Sequence, residues 1–146
     1  MPPVLFDTTI LLDIFLQRKS HALASQQAVD LVVKNLIQRY ISSHSVTTLS
    51  YLLTKHLVAK KSKAILTPLL TRFTVAAITD TAIRRARESP IKDFEDAVAH
   101  AAAEESEIAI IVTRNIRDFA KGSIPAILHE MLALRISSEK EYGKRR

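Results

Sequence analysis

The sequence predicts an α/β fold: a three-layer α/β/α sandwich on a mostly parallel central sheet. Short apolar runs alternate with amphipathic segments along the whole chain, the pattern of strands joined by helical crossovers. The run Ile108–Val112 is apolar without alternation, as a strand covered on both faces must be. Threonine or aspartate stands immediately before several of the helical segments, where a side-chain oxygen can satisfy a free backbone N–H.

Pro3 to Phe6 is an apolar run ending at Asp7 and reads as a buried strand. Ile10 to Leu16 carries Ile10, Leu11, Ile14 and Phe15 at helical spacing. A longer amphipathic helix is expected from Ser20 to Gln38, with Ser20 as its N-cap. Tyr40 to Ser42 is a short strand, and helices follow from Ser45 to Ala59 and from Lys60 to Arg72. Phe73 to Ile78 reads as a strand, and Thr79 caps a helix running to Glu88. Ser89-Pro90 breaks the chain before Asp93 caps an alanine-rich helix that ends near Glu105. After the Ile108–Val112 strand come a polar loop from Thr113 to Ser123, a last strand from Ile124 to Ile127 and a short helix from His129 to Leu134. The organisation is one domain over residues 1–134 followed by a basic tail, 135–146.

With 146 residues, 47% of them hydrophobic and 25% charged, the chain can bury one proper core. The sequence has no apolar stretch long enough to span a bilayer, and Met1-Pro2-Pro3 lacks the basic head of a secretory signal. A cytoplasmic location with no membrane partner is therefore expected. There is no cysteine, so a metal would have to sit on oxygen or imidazole. Only Gly122 and Gly143 are glycines, which excludes the glycine-rich dinucleotide turn, the phosphate-binding P-loop and the GxSxG nucleophile elbow. The net charge of +6 favours a polyanionic partner. Five cations against two anions in 135–146 fit either a solvated tail or a basic arm.

Ligands of open parallel sheets bind at the carboxyl ends of the strands. Asp7 directly follows the first strand, and Asp118 lies just beyond Ile108–Val112. Asp93 and Asp96 open the helix that precedes that strand. Three segments can thus bring carboxylates to one edge. Clustered carboxylates repel, and a hard divalent cation such as Mg²⁺ or Mn²⁺ relieves the repulsion. Such an ion can activate water for attack on a phosphate. Each acid also has a plainer reading: Asp7 or Asp93 as a helix cap, Asp96 as a partner of the helix dipole, Asp118 as a turn residue. Asp13 reads equally as a surface residue or a support behind the site.

These segments resemble the motifs of the PIN-domain family, and in particular its VapC-like ribonucleases. Val4-Leu5-Phe6-Asp7-Thr8-Thr9-Ile10-Leu11-Leu12-Asp13 resembles the first motif, with Thr9 where asparagine is usual. Lys92-Asp93-Phe94-Glu95-Asp96-Ala97 is similar to the motif of the central acid, which falls on Asp96. Ile111 to Phe119 looks like the closing motif, and the likeness covers about residues 3 to 134. The resemblance implies metal-dependent hydrolysis of RNA phosphodiester bonds, a homodimer and, for toxin members, a cognate antitoxin. It implies that Asp7, Asp96 and Asp118 hold Mg²⁺ or Mn²⁺, with Asp93 as a further ligand. Asn115, Thr113 and Asp13 would support them. Arg114 and Arg117, which flank Asn115, read equally as a grip on phosphates or as solvated loop charges. The helix after the second strand usually offers a glutamate where this chain has Tyr51. Glu95, next to Asp96, is expected to point elsewhere on its helix. His44 reads as a cap of the helix it precedes, and His100 as either a packed residue or a neighbour of the site.

Two other function classes compete. A PIN-like module weakened in catalysis would bind RNA or a partner protein. A haloacid-dehalogenase-like phosphatase would need a second aspartate where Thr9 stands.

Overall fold

Five short strands form the centre of the protein: β1 (Pro3–Phe6), β2 (Gln38–Ser42), β3 (Thr74–Ala76), β4 (Ile110–Val112) and β5 (Ala126–Ile127). The computed structural model describes residues 2–15, 36–132 and 134–136. The strands pair in the order β3-β2-β1-β4-β5, and all four pairings are parallel. The sheet is therefore parallel throughout, where a mostly parallel one was expected.

The helices are α1 (Thr8–Phe15), α2 (Ser43–His56), α3 (Ala59–Arg72), α4 (Asp80–Arg87), α5 (Phe94–Glu105) and the single turn α6 (Ile116–Phe119). Residues 129–132 and 134–136 are helical as well. The pleat sends alternate strand residues to opposite faces. Val4, Phe6, Ile110 and Val112 pack with Ile10, Leu11, Leu49, Leu53 and Leu69 of α1, α2 and α3. Leu5 and Ile111 pack on the other face with alanines of α4 and α5. Two cores on the two faces of one sheet make the three-layer sandwich. The alanine run of α5 suits its side of the sheet, because small side chains let a helix lie close against the strands.

Thr79 caps α4 by accepting the Ala82 N–H at 3.0 Å, and Asp93 caps α5 by accepting that of Asp96 at 2.9 Å, both as the sequence suggests. At the far end of α5, Glu107 adopts a left-handed backbone (φ 55°) and Ile108 N–H reaches back to the Ala103 carbonyl. That turn uses up Ile108 and Ala109, so β4 starts at Ile110 rather than Ile108. The expected loop from Thr113 to Ser123 contains α6, and Gln38, expected in a helix, opens β2. The rest of the expected Ser20–Gln38 helix, up to residue 35, lies outside the described residues. No described helix is long and apolar enough to cross a membrane.

Candidate active site

The chain builds β1, β2 and β3 outward in one direction, then returns to place β4 and β5 on the other side of β1. The reversal leaves a crevice between the carboxyl ends of β1 and β4, the usual ligand site of such sheets. Phe6 and Val112 are in register there, so the next residues, Asp7 and Thr113, emerge side by side. Asp7 N–H donates to the Val112 carbonyl at 2.9 Å. The Thr113 hydroxyl donates to Asp7 Oδ2 at 2.7 Å, and that of Thr9 to the same oxygen at 3.1 Å. Asn115 N–H donates to Thr113 Oγ1 at 3.0 Å. Asp7 is thus held by the neighbouring strand β4, its own helix and the loop after β4. Burial raises its pKa, and the Thr113 and Thr9 hydroxyls with the Thr8 N–H offset part of the rise.

Asp96 comes from the first turn of α5 and lines two clefts. One holds Asp7, Thr9, His44, Thr48, Glu95 and Asn115. The other holds Lys92, Asp93, Arg117, Asp118 and Lys121. The Asp96 carboxyl is pushed up to about 7, first by burial, then by the charges of Asp93, Asp7, Asp118 and Glu95. The three acids singled out in the sequence therefore meet electrostatically, although Asp7 and Asp118 open onto different clefts. Among the described residues, no three aspartate, glutamate or histidine side chains are close enough to enclose a metal ion between them.

Several sequence-based assignments change. Arg114 Nε lies 3.0 Å from Oδ2 of Asp13, which is fully buried. Asp13 therefore stands behind the site, tying α1 to the loop after β4. Asp93 Oδ1 serves the helix cap, and the same residue lines the second cleft beside Asp96 and Asp118. Glu95, expected to point away, lines the Asp7 cleft. There Thr48 Oγ1 donates to Glu95 Oε1 at 3.4 Å, and His44 Nε2 stands 3.7 Å from the same oxygen.

His44 was read as a cap, but it lies inside α2 and faces the cleft together with Thr48 and Leu52. Successive turns of one helix present these three residues. Burial lowers the pKa of His44. Tyr51 is 67% exposed and is not among the residues lining either cleft, so the face that α2 turns to the site carries no carboxylate.

His100 is a packed histidine. Its Nδ1 lies 3.2 Å from Glu104 Oε1, and its Nε2 accepts the Ile124 N–H at 3.2 Å. Burial lowers its pKa, so the neutral ring, donating at Nδ1 and accepting at Nε2, satisfies both contacts. Gly122 lies directly over this ring, where a Cβ would meet Nε2 at 2.4 Å.

A sequence model of the PIN domain matches residues 3–117. A comparison with curated proteins finds no match. Among solved structures, VapBC2 from Rickettsia felis, bound to a DNA fragment from its promoter, superposes with a TM-score of 0.69 at 17% identity. That match covers 86% of this chain and 97% of the other. PAE2754 from Pyrobaculum aerophilum gives 0.64 at 23% identity over 94% and 96% of the two chains. VapC20 from Mycobacterium tuberculosis, described as a toxin cleaving the sarcin–ricin loop, gives 0.58 at 14% identity over 74% and 86%. Likeness at these identities shows a shared fold. With the parallel sheet, the acids at its switch point and the profile match across most of its length, the chain belongs to the PIN-domain family.

Proposed function

We propose that the protein is a magnesium- or manganese-dependent endoribonuclease and the toxin of a toxin–antitoxin pair. The observation that carries this reading is that Asp7, at the switch point of the sheet, shares a cleft with Asp96, while Asp96 shares the adjoining cleft with Asp118. No described cation forms an ion pair with any of the three, so their mutual repulsion is left for a bound ion to relieve.

The donor chemistry fits magnesium or manganese. Such ions take oxygen ligands, and magnesium keeps several waters and needs only one or two carboxylates besides substrate phosphates. An enclosed cage of protein ligands does not fit these residues. Asp7 and Asp96 would hold the ion, with Asp118 adding charge from the adjoining cleft. The bound ion would supply an activated water and neutralise charge on the phosphate. Thr113 and Thr9 fix the Asp7 carboxylate, and Asn115 is positioned by Thr113 to orient water or phosphate. Glu95, bridged to α2 by Thr48 and His44, brings a further carboxylate into the Asp7 cleft.

The test is cleavage of labelled single-stranded and structured RNAs with Mn²⁺, Mg²⁺ or EDTA, comparing wild type with Asp96→Ala. Metal-dependent cutting that disappears in the variant supports the nuclease. A specific observation favours a second reading, a PIN module that binds RNA or a partner without cutting: α2 gives the cleft no carboxylate. Equal inertness of both proteins on every substrate and metal selects that reading. The VapBC complexes among the fold relatives support a cognate antitoxin as partner, which co-purification with the product of the adjacent gene would test. A homodimer in the cytoplasm is part of the same reading, and light scattering of the purified protein would test the dimer.

A further inference from the structure

Where substrate would lie is not given by the carboxylates, and of the two arginines that the sequence suggested for phosphate, Arg114 is paired with Asp13 while Arg117 lines the second cleft. The cleft on the Asp118 side of Asp96 offers other cations. It has a volume of about 430 Å³. Lys92 lines it from the approach to α5, and Arg117 and Lys121 line it from α6 and the turn beyond. All three side chains are exposed, and among the described residues none forms an ion pair. Lys60, Lys61 and Arg72 on α3 form no ion pair among the described residues either, so it is their shared place beside Asp96 that sets Lys92, Arg117 and Lys121 apart. Here Asp93 and Asp118 line the same cleft, yet the cations stay apart from them.

We propose that Lys92, Arg117 and Lys121 form the track that holds the phosphate backbone of single-stranded RNA beside Asp96. Two observations join the track to the site: Asp96 lines both clefts, and the cations come from two segments that converge on the one containing Asp118. Cations along the walls attract a polyanion, while the acids repel it and keep a phosphate at the distance of an intervening metal ion. Backbone contacts of this kind fix position without reading sequence. Lys92 and Lys121 take the role that the sequence gave to Arg114. The assignment rests on the nuclease reading for its consequence in catalysis, but not for binding itself.

The experiment measures binding of a fluorescein-labelled single-stranded RNA of mixed sequence to the full chain in EDTA, from 50 to 200 mM salt. The proteins are wild type, Lys92→Ala/Lys121→Ala, the matching double arginine variant and Lys60→Ala/Lys61→Ala on α3 as a control. Each lost contact to a single strand should remove about 0.7 from the slope of log K against log salt, so the double alanine variant should lose about 1.4. Its affinity should then fall ~7-fold less than that of wild type across this range. The arginine variant should keep the wild-type slope.

An unchanged slope in the double alanine variant, or an equal drop in the α3 control, overturns the track. So does wild-type protein that binds no RNA. Metal-dependent cleavage measured alongside separates the two ideas. Cutting with an unchanged slope leaves the nuclease standing and removes the track. A lowered slope in a protein that cuts nothing supports the track and removes the nuclease.

Discussion

In EDTA, Asp96→Asn should stabilise the protein at pH 8, and the gain should shrink most of the way to zero at pH 4. The Asp96 carboxyl rises from an ordinary 3.8 to about 7 in the fold. A raised carboxyl favours the folded state while it is protonated, and that stability is lost as pH climbs from 3.8 towards 7. At pH 8 the wild-type protein carries an ionised Asp96 among Asp93, Asp7, Asp118 and Glu95; asparagine removes that charge at the same size. A shift of about three units, at about 1.4 kcal/mol each, sets a ceiling of roughly 4 kcal/mol. Asp96 is partly exposed and its acidic neighbours are screened by water and salt, so an effect of about 1–2 kcal/mol is expected. For a chain this long that is a rise of roughly 2–8 °C in melting temperature. Thermal melts of both proteins by circular dichroism, at half-unit steps from pH 4 to 8, measure it. A difference that does not change with pH, or a loss of stability at pH 8, would refute the claim that Asp96 is crowded by uncompensated charge.

Burial and neighbouring acids push Asp96 up to about 7, so binding of Mn²⁺ at pH 7 should release protons; calorimetry in two buffers of different ionisation enthalpy reads the release, and none counts against Asp96 as a ligand. Arg114→Ala removes the cation 3.0 Å from the fully buried Asp13 and should cost about 1–2 kcal/mol in urea unfolding, more than the roughly 0–1 kcal/mol typical of a surface pair; no loss of stability would mean that the pair does not hold α1 to the loop after β4. Gly122→Ala forces a Cβ against the His100 ring and should cost about 1–3 kcal/mol; a cycle with His100→Ala should show strong coupling, and simple additivity would mean the two do not clash. Thr113→Val removes a hydroxyl that lowers the Asp7 pKa, so the acid limb of the metal-dependent cleavage profile should move to higher pH, and an unmoved limb would separate Thr113 from Asp7.

The sequence shows the acids more clearly than it shows their company. Asp7 and Asp118 follow apolar runs too hydrophobic to be anything but covered strands, and parallel topology places the ends of such strands together. Asp93 was readable as a cap because Pro90 stops the chain just ahead of α5. Glu95 was misplaced by helix geometry applied to α5 alone. The cleft around Asp7 is bounded by α2 as well, and Thr48 and His44 come to the glutamate from there. The pairing of Arg114 with Asp13 was not legible because the partners stand 101 positions apart in sequence. A signal for Asp13 was present: it stands beside Leu11, Leu12 and Ile14, in a helix too apolar for a surface residue. Nothing local marked His44, because its place depends on how α2 lies against α5. The strands β3 and β5 are only three and two residues long, so edge pairing rather than sequence pattern sets their limits.

The segment carrying Asp118 is fastened at both ends by buried groups. Arg114 is anchored to Asp13 on α1, and Ile124 N–H, with Gly122 beside it, rests on His100 of α5. Between these fixed points only Phe119 is buried, while residues 115–118, 120 and 121 face outward. The segment is in effect a cassette. Its outward residues can be exchanged without disturbing the frame that holds Asp7 and Asp96, which confines the cost of changing Arg117 or Lys121 to the surface. A graft of the remaining positions of 115–121 from another PIN protein, keeping Asn115, Asp118 and Phe119, should fold as the parent does and lets new RNA preferences be sought there one loop at a time.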